Sequence, residues 1–281
     1  MSLVPLKPIE TVHLIREVDE ALIPLLRGLE PEDWRKAAVG HWTVHDVAAH
    51  LLDGAVRRLS LDRDGHQPPP PEGDLSDYRE LVGYLNDLNA TWVKAAERLS
   101  SQVMTDLLAQ VCPQVADYFE SLEPEATASF AVSWAGEDSS KVWMDVAREF
   151  TERWHHQQQI REAVGATGLD QEHFVRPLLY TLIRALPKSY ALVEAPTGTT
   201  VEVRIRDLED LGWGIQRLPD SWDLGEVPGD LEAETTLEIS ADMAWRLFTK
   251  GVSGRVARVS ANVSGNPELA EPFFSTLGIM A

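Results

Sequence analysis

The chain has 281 residues, a hydrophobic content of 44% and a formal net charge of −20. That length exceeds what one compact core usually needs, so two domains are expected. The acidic charge is spread along the chain and repels phosphate backbones, which excludes nucleic acid as a partner, and no apolar run reaches the roughly 18 residues of a membrane-spanning helix.

Residues 9–29 place Val12, Ile15, Val18, Leu22, Ile23 and Leu26 at helical spacing. "EPEDWRK" follows as a turn or short helix. "HWTVHDVAAHLLDGAVRRLSLDRDG" then carries an apolar stripe of Val44, Val47, Ala48, Leu51, Leu52, Ala55 and Leu59. Thr43 and Asp46 match a capping box at its start, and the proline run at 68–71 ends it. A third helix is predicted over Tyr78–Leu99. A fourth covers Gln102–Leu122, with a break expected near Pro113. "EATASFAVSW" fits a strand or a loop. A long helix spans Ser140–Val164 and stops at Gly165, a C-cap candidate. Residues 1–167 therefore read as an all-helical bundle of about four long helices.

Cys112, the single cysteine, sits among apolar residues and reads as inert core packing. One cysteine cannot form an internal disulfide. The N-terminus also lacks the basic start and apolar block of a signal peptide, so the cytoplasm is the expected compartment.

Residues 168–281 read as a smaller α+β domain. "FVRPLLYTLIRALPKSYALV" is amphipathic and helical. "TTVEVRIRDL" alternates as a strand with one buried face, and "GWGIQRL" is its predicted partner. "AETTLEIS" runs directly into the helix "ADMAWRLFTKG", with Ser240 as N-cap. "VARVSANV" alternates again and predicts another strand. Asn266 and Pro267 open a last helix. An antiparallel sheet covered by helices on one face is expected.

The long helix ending at Gly165 holds the candidate site. Trp143, Ala147, Phe150 and Trp154 share one face; Asp145, Glu149, Glu152, His156 and Gln159 share roughly the opposite one. Val142, Val146 and Ile160 flank the polar stripe, so it is predicted to be buried, and buried Glu and His need partners. Glu152 and His156, four residues apart, project together and can bind one divalent metal; a hydrogen-bonded Glu–His pair fits the spacing equally. His155 points about 100° away and is expected to pack or meet solvent. On the second helix Thr43, Asp46, His50, Asp53 and Arg57 form a polar strip. His50 lies on its border with the apolar stripe, where either a third ligand or a satisfied core histidine would sit. Asp53 and Arg57 read as a surface ion pair.

"WTVHDVAAH" (Trp42–His50) resembles the W-x-x-x-D-x-x-x-H signature of the DinB-like superfamily, and more narrowly the metal-binding domain of mycothiol-dependent maleylpyruvate isomerases. The resemblance implies that the histidine ending this motif ligates zinc. A later E-x-x-x-H would supply the other two ligands. In "ERWHHQQQIREAVG" those positions are Glu152 and His156, with Gly165 at the expected distance. Gln159 stands where many relatives have an acidic residue. The C-terminal half is similar to the α+β, sterol-carrier-like domain of the same family, so the fold implied is a four-helix bundle followed by a smaller α+β domain.

Two histidines and one glutamate leave a coordination position open, as in catalytic zinc sites. The resemblance implies a zinc-dependent thiol transferase or isomerase. Its cofactors would be a divalent metal and an external low-molecular-weight thiol such as mycothiol, and its partner a small electrophilic substrate. The second domain is expected to supply a basic residue for a substrate carboxylate, with Arg246 as a candidate, and Asn89 and Trp92 are candidates to line the cofactor cleft. Two other readings stand beside it: a metal-dependent hydrolase of the same fold, with a zinc-bound water and Glu149 as base, and a non-enzymatic ligand-binding or stress-related protein. Monomer and homodimer are both open.

Overall fold

The computed structural model describes residues 2–69, 77–229 and 231–279. The chain forms two compact units, and they are interleaved in sequence. One contains Glu10–Ser129 and Lys141–Leu169; the other contains the residues up to Ile9, Phe130–Ser140 and the residues from Asp170 onward. A single cut after residue 167 misses this interleaving. The last two prolines of the 68–71 run lie outside the described residues.

The elements begin with a short strand, β1 (Val4–Pro5). Then come α1 (Val12–Arg27), a small ribbon of β2 (Ala37–Val39) and β3 (Trp42–Thr43), α2 (Val44–Arg57), α3 (Tyr78–Ala96), α4 (Ser101–Glu120) and α5 (Val142–Val164). "EPEDWRK" contains a 3₁₀ turn at Asp33–Arg35. At the start of α2, Thr43 N–H donates to Asp46 Oδ2 at 2.9 Å while Asp46 N–H donates to Thr43 Oγ1 at 3.3 Å. This reciprocal capping box satisfies donors that the first helical turn leaves without partners. α5 ends at Gly165, whose φ of +69° is the left-handed conformation that favours glycine.

Within this unit α1 packs on α4 and α5, and α2 packs on α4 and α5 as well. These four helices are the bundle, and α3 leans on α2. Its core gathers Leu22, Leu26, Val47, Leu51, Leu52, Met104, Leu108 and Ile160. α4 runs unbroken through Pro113, because Cys112, Val115 and Ala116 are buried on either side and tertiary packing carries the helix past the missing N–H. α2 continues into a π-helical stretch at Arg58–Arg63, which the apolar periodicity merges with the helix itself.

The second unit contains α6 (Glu172–Leu182), α7 (Leu186–Tyr190), β4 (Thr200–Ile205), β5 (Gly212–Arg217), β6 (Trp222–Glu226), β7 (Thr235–Ile239), α8 (Ala241–Phe248), α9 (Gly254–Ser260), β8 (Asn262–Gly265) and α10 (Pro267–Ala270). The sheet order is β1-β6-β5-β4-β7-β8. It is mixed, contrary to the antiparallel expectation. Two hairpin reversals leave β6 running with β4, and the chain then crosses to the far side of β4, so that β7 pairs with it in parallel. The predicted strand "VARVSANV" is instead α9 followed by β8. Ser253 caps this helix by accepting from Val256 N–H, which outweighs the alternating valines. β1 joins the sheet because Gly214 and Gly225 of adjacent strands lack side chains: a Cβ at either would lie 2.7–2.8 Å from Leu3. Val201, Val203, Ile205, Leu237 and Ile239 fill the buried face by strand alternation.

Charges inside the helical unit fix α5 against its neighbours. Arg153 Nη1 donates to both carboxylate oxygens of Asp19 on α1, at 2.8 and 2.6 Å, and its Nε donates to Glu149 at 3.1 Å. Arg58 donates to Asp145 at 2.8 and 3.1 Å and to Asp62 at 3.0 Å. All of these groups except Asp62 belong to buried residues, and the Asp62 side chain itself is only 5% exposed. Removing one partner strands the others in a low-dielectric interior, which typically costs about 3–5 kcal/mol. Arg153→Leu should therefore lower the urea unfolding free energy by about that amount. A loss below about 1 kcal/mol would mean that Asp19 and Glu149 find water or a proton instead.

Candidate metal centre

The capping box sets where α2 begins, and His50 follows Thr43 by seven residues, two turns later on nearly the same face. α5 brings Glu152 and His156 on adjacent turns. His50, Glu152 and His156 each offer a ligand atom, and these atoms all lie within 4.8 Å of one another. The His50 and His156 rings stand edge-on with centroids 4.7 Å apart, and Trp42 covers His50 at 5.2 Å. His156 Nε2 lies 3.4 Å from Glu152 Oε2. The helix pair thus assembles the three residues that the sequence singles out as ligands.

The electrostatics suit a metal-type site. Burial, then the neighbouring His156, pushes the His50 imidazole down to about 3, so its ring is neutral near pH 7. His50 Nδ1 is buried with no hydrogen-bond partner. For Glu152, burial raises the carboxyl, but the hydrogen-bonding contact with His156 outweighs it and holds the group below the usual range. Two imidazoles, one of them with an orphaned buried nitrogen, and one carboxylate fit a divalent first-row ion such as zinc. His156 Nδ1 lies 2.8 Å from Gln159 Oε1, so the amide of Gln159 meets the ring on the side away from Glu152.

The other sequence candidates have surroundings of their own. Glu149 cannot act as a base: burial raises it, but Arg153, Arg58 and Arg148 hold it down to about 2. The hydrolase reading loses its proton acceptor. Arg57 Nε lies 3.0 Å from Asp53 Oδ2, the expected ion pair, but its acidic half is buried. Asp53 is only 5% exposed, because α2 is flanked by α3 on one side and by α4 and α5 on the other. Trp92 Nε1 donates to the Ala49 carbonyl at 2.8 Å, which docks α3 on α2 one residue before His50, and Asn89 is half-buried one turn earlier. Arg246 belongs to the sheet unit, where its Nε donates to Asp242 at 2.9 Å and its guanidinium stacks 4.4 Å from the Trp245 ring centroid. Cys112 is buried, and burial, with the Asp19 charge, pushes its thiol up to about 12, consistent with inert packing. His155 is buried rather than solvent-facing, with Nδ1 3.0 Å from the Thr151 carbonyl and its ring 4.0 Å from that of His156. Burial pushes it down to about 4. Sequence spacing separates it from the ligands by angle but does not reveal this stacking.

These features describe a helical bundle with a two-histidine, one-glutamate group that could hold a metal ion, joined in the same chain to a mixed sheet flanked by helices. The family model described as the mycothiol maleylpyruvate isomerase N-terminal domain matches residues 15–161, more than half of the chain and a span that includes all three candidate ligands; the chain belongs to that family. Two solved structures share the fold: the crystal structure of the mycothiol-dependent maleylpyruvate isomerase and that of a histidine-to-alanine mutant of it. Each is 13% identical, with a TM-score of 0.55, covering 92% of this chain and 93% of the other. No curated protein matches the sequence. No helix among the described residues is long and apolar enough to cross a membrane.

The buried histidines carry a pH signature. Both are neutral when folded, at values of about 3 and about 4, and protonate near 6.5 when unfolded. Below pH 6.5 the unfolded chain therefore binds more protons, and stability falls as pH drops towards 4. In chelator, the urea midpoint should decline progressively across that window, and His155→Phe should make the decline shallower. A midpoint flat between pH 6.5 and 4 in the parent protein would contradict neutral buried histidines.

Proposed function

We propose that the protein is a metal-dependent thiol transferase or isomerase, with His50, Glu152 and His156 holding a divalent ion, zinc in the first instance. The observation that carries this reading is the convergence of the three ligand atoms within 4.8 Å, with His50 Nδ1 buried and unpartnered. Membership in a mycothiol maleylpyruvate isomerase family supports a low-molecular-weight thiol as cofactor and a small unsaturated acid as substrate.

When bound, the metal would supply a Lewis acid that makes a thiol acidic enough to act as a sulfur nucleophile near neutral pH. The chain's own residues divide the remaining work. His50 and His156 donate as neutral imidazoles, and Glu152 contributes one negative charge, so a divalent centre keeps net charge for an anionic fourth ligand. Trp42 shields His50 on one side and limits water there. The protein offers no thiol of its own at the site, since the Cys112 thiol is buried against Arg153. An external thiol is therefore required by this chemistry.

Protein purified without chelator should carry a stoichiometric divalent ion by elemental analysis, and His50→Ala should lose most of it. The metal-loaded protein should consume maleylpyruvate or a similar unsaturated acid only when mycothiol or another small thiol is added. Absence of bound metal with an unchanged His50→Ala protein would refute the reading. Thiol-independent turnover would refute the thiol half of it.

A further inference from the structure

The ring of His156 has two nitrogens with different surroundings. Nδ1 lies 2.8 Å from Gln159 Oε1, three residues on, while Nε2 lies 3.4 Å from Glu152 Oε2. An amide oxygen accepts only, so the Nδ1 contact requires the ring proton on Nδ1. Nε2 then presents a lone pair towards a carboxylate oxygen. Two acceptors facing each other are matched by a positive charge between them, a proton in the metal-free protein or a metal ion in its place. The tautomer selected by Gln159 is thus the one in which Nε2 and Glu152 can share a metal.

The chemistry of the acceptor matters as well as its position. A carboxylate at 159 would draw the imidazole proton more strongly and add a negative charge close to the centre. A neutral amide fixes the ring without either effect. A divalent ion with Glu152 and two neutral histidines then keeps a net charge of +1 and attracts an anionic fourth ligand. The nearby Glu149 adds little negative potential, because Arg58, Arg148 and Arg153 surround it.

We infer that Gln159 is a positioning residue of the metal centre: its neutral amide oxygen holds His156 as the Nδ1–H tautomer and leaves the centre cationic towards an anionic ligand. This rests on the metal-binding reading above, though not on the identity of thiol or substrate.

The test uses cobalt(II) as probe metal and azide as probe anion, on the full-length protein and two variants. Gln159→Met keeps the side-chain length and removes the acceptor. Cobalt affinity, read by competition with a chromophoric chelator, should fall about 10–100-fold. In the metal-free protein the His156 ¹⁵N resonances should lose the protonated-Nδ1 pattern. Gln159→Glu restores an acceptor and should keep cobalt affinity within about threefold of the parent or raise it, while azide binding, followed in the cobalt visible spectrum, weakens about tenfold. Circular dichroism verifies folding, and the Glu variant carries the test if the Met variant fails to fold. Unchanged cobalt affinity and unchanged ¹⁵N shifts in Gln159→Met, or unchanged azide affinity in Gln159→Glu, would overturn the inference while leaving the metal site intact. A parent protein that binds no cobalt would overturn both this inference and the metal-dependent function.

Discussion

The helical unit depends on one constraint: α5 is buried along most of its length and yet carries ionisable groups on almost every turn. Asp145, Glu149, Arg153, His155 and His156 all belong to buried residues, and so do Gln157 and Gln158. A charge in that setting is tolerable only when an opposite charge or a full set of hydrogen bonds meets it. Each partner therefore dictates where a neighbouring element sits. Arg153 ties α5 to Asp19 on α1, and Asp145 ties it to Arg58 at the end of α2. Gln157 adds a neutral clamp by donating to the Val18 carbonyl at 2.7 Å. Sliding α5 by one turn would break all of these contacts together. The register of α5 against α1 and α2 is thus set by electrostatics as much as by apolar packing, and the candidate metal centre inherits that register.

The π-helical stretch after α2 has its place in the same scheme. Arg58 sits at its start, donates to Asp62 within it and reaches across to Asp145. A π turn widens the backbone helix and rotates the residues that follow. Here it lets Asp62 accept from Arg58 and from the Ser129 hydroxyl, gathering a second loop onto the cluster. The Arg58 guanidinium also lies 5.1 Å from the Phe119 ring centroid on α4, so one cation joins three helices. Such a centre stiffens the end of the bundle where α2 leaves His50 behind, and stiffness is what a preorganised three-ligand site requires.

Much of this was legible in the sequence, and the limits have physical causes. Thr43 with Asp46, Gly165, Ser240 and Asn266 mark element ends because capping is local chemistry. Helical spacing pairs Glu152 with His156, whereas His50 stands out as a candidate ligand only through the resemblance of "WTVHDVAAH" to a family motif. The partners of the buried stripe were hidden because they come from far along the chain: Asp19 lies 134 residues from Arg153, and Arg58 lies 87 from Asp145. Local periodicity carries no information about such pairs. The same reason hides the parallel β4–β7 pairing, which depends on where the chain crosses the sheet, and the place of β1, which depends on two glycines more than two hundred residues later. The Asp53–Arg57 ion pair was legible from its spacing, but the burial of Asp53 was not, because a polar strip on one helix says nothing about the helices packed around it.

Glu149 and Glu152 show how partner chemistry separates scaffold from site on one helix. They are three residues apart and both stay ionised in a largely buried setting. Glu149 meets three arginines, which are permanently charged and hold it through fixed ion pairs of 3.1–3.7 Å. Its lone pairs are committed, and no ligand can compete for them. Glu152 meets histidines instead. A neutral imidazole offers a lone pair rather than a permanent charge, so a carboxylate beside it remains available to a cation. The 3.4 Å separation of Glu152 Oε2 from His156 Nε2 is too long for a strong charge-assisted bond. It suits two ligands awaiting a shared metal. Arginine next to one glutamate and histidine next to the other, within a single helical turn, is the difference between a support at one end of the buried polar stripe and a candidate metal centre at the other.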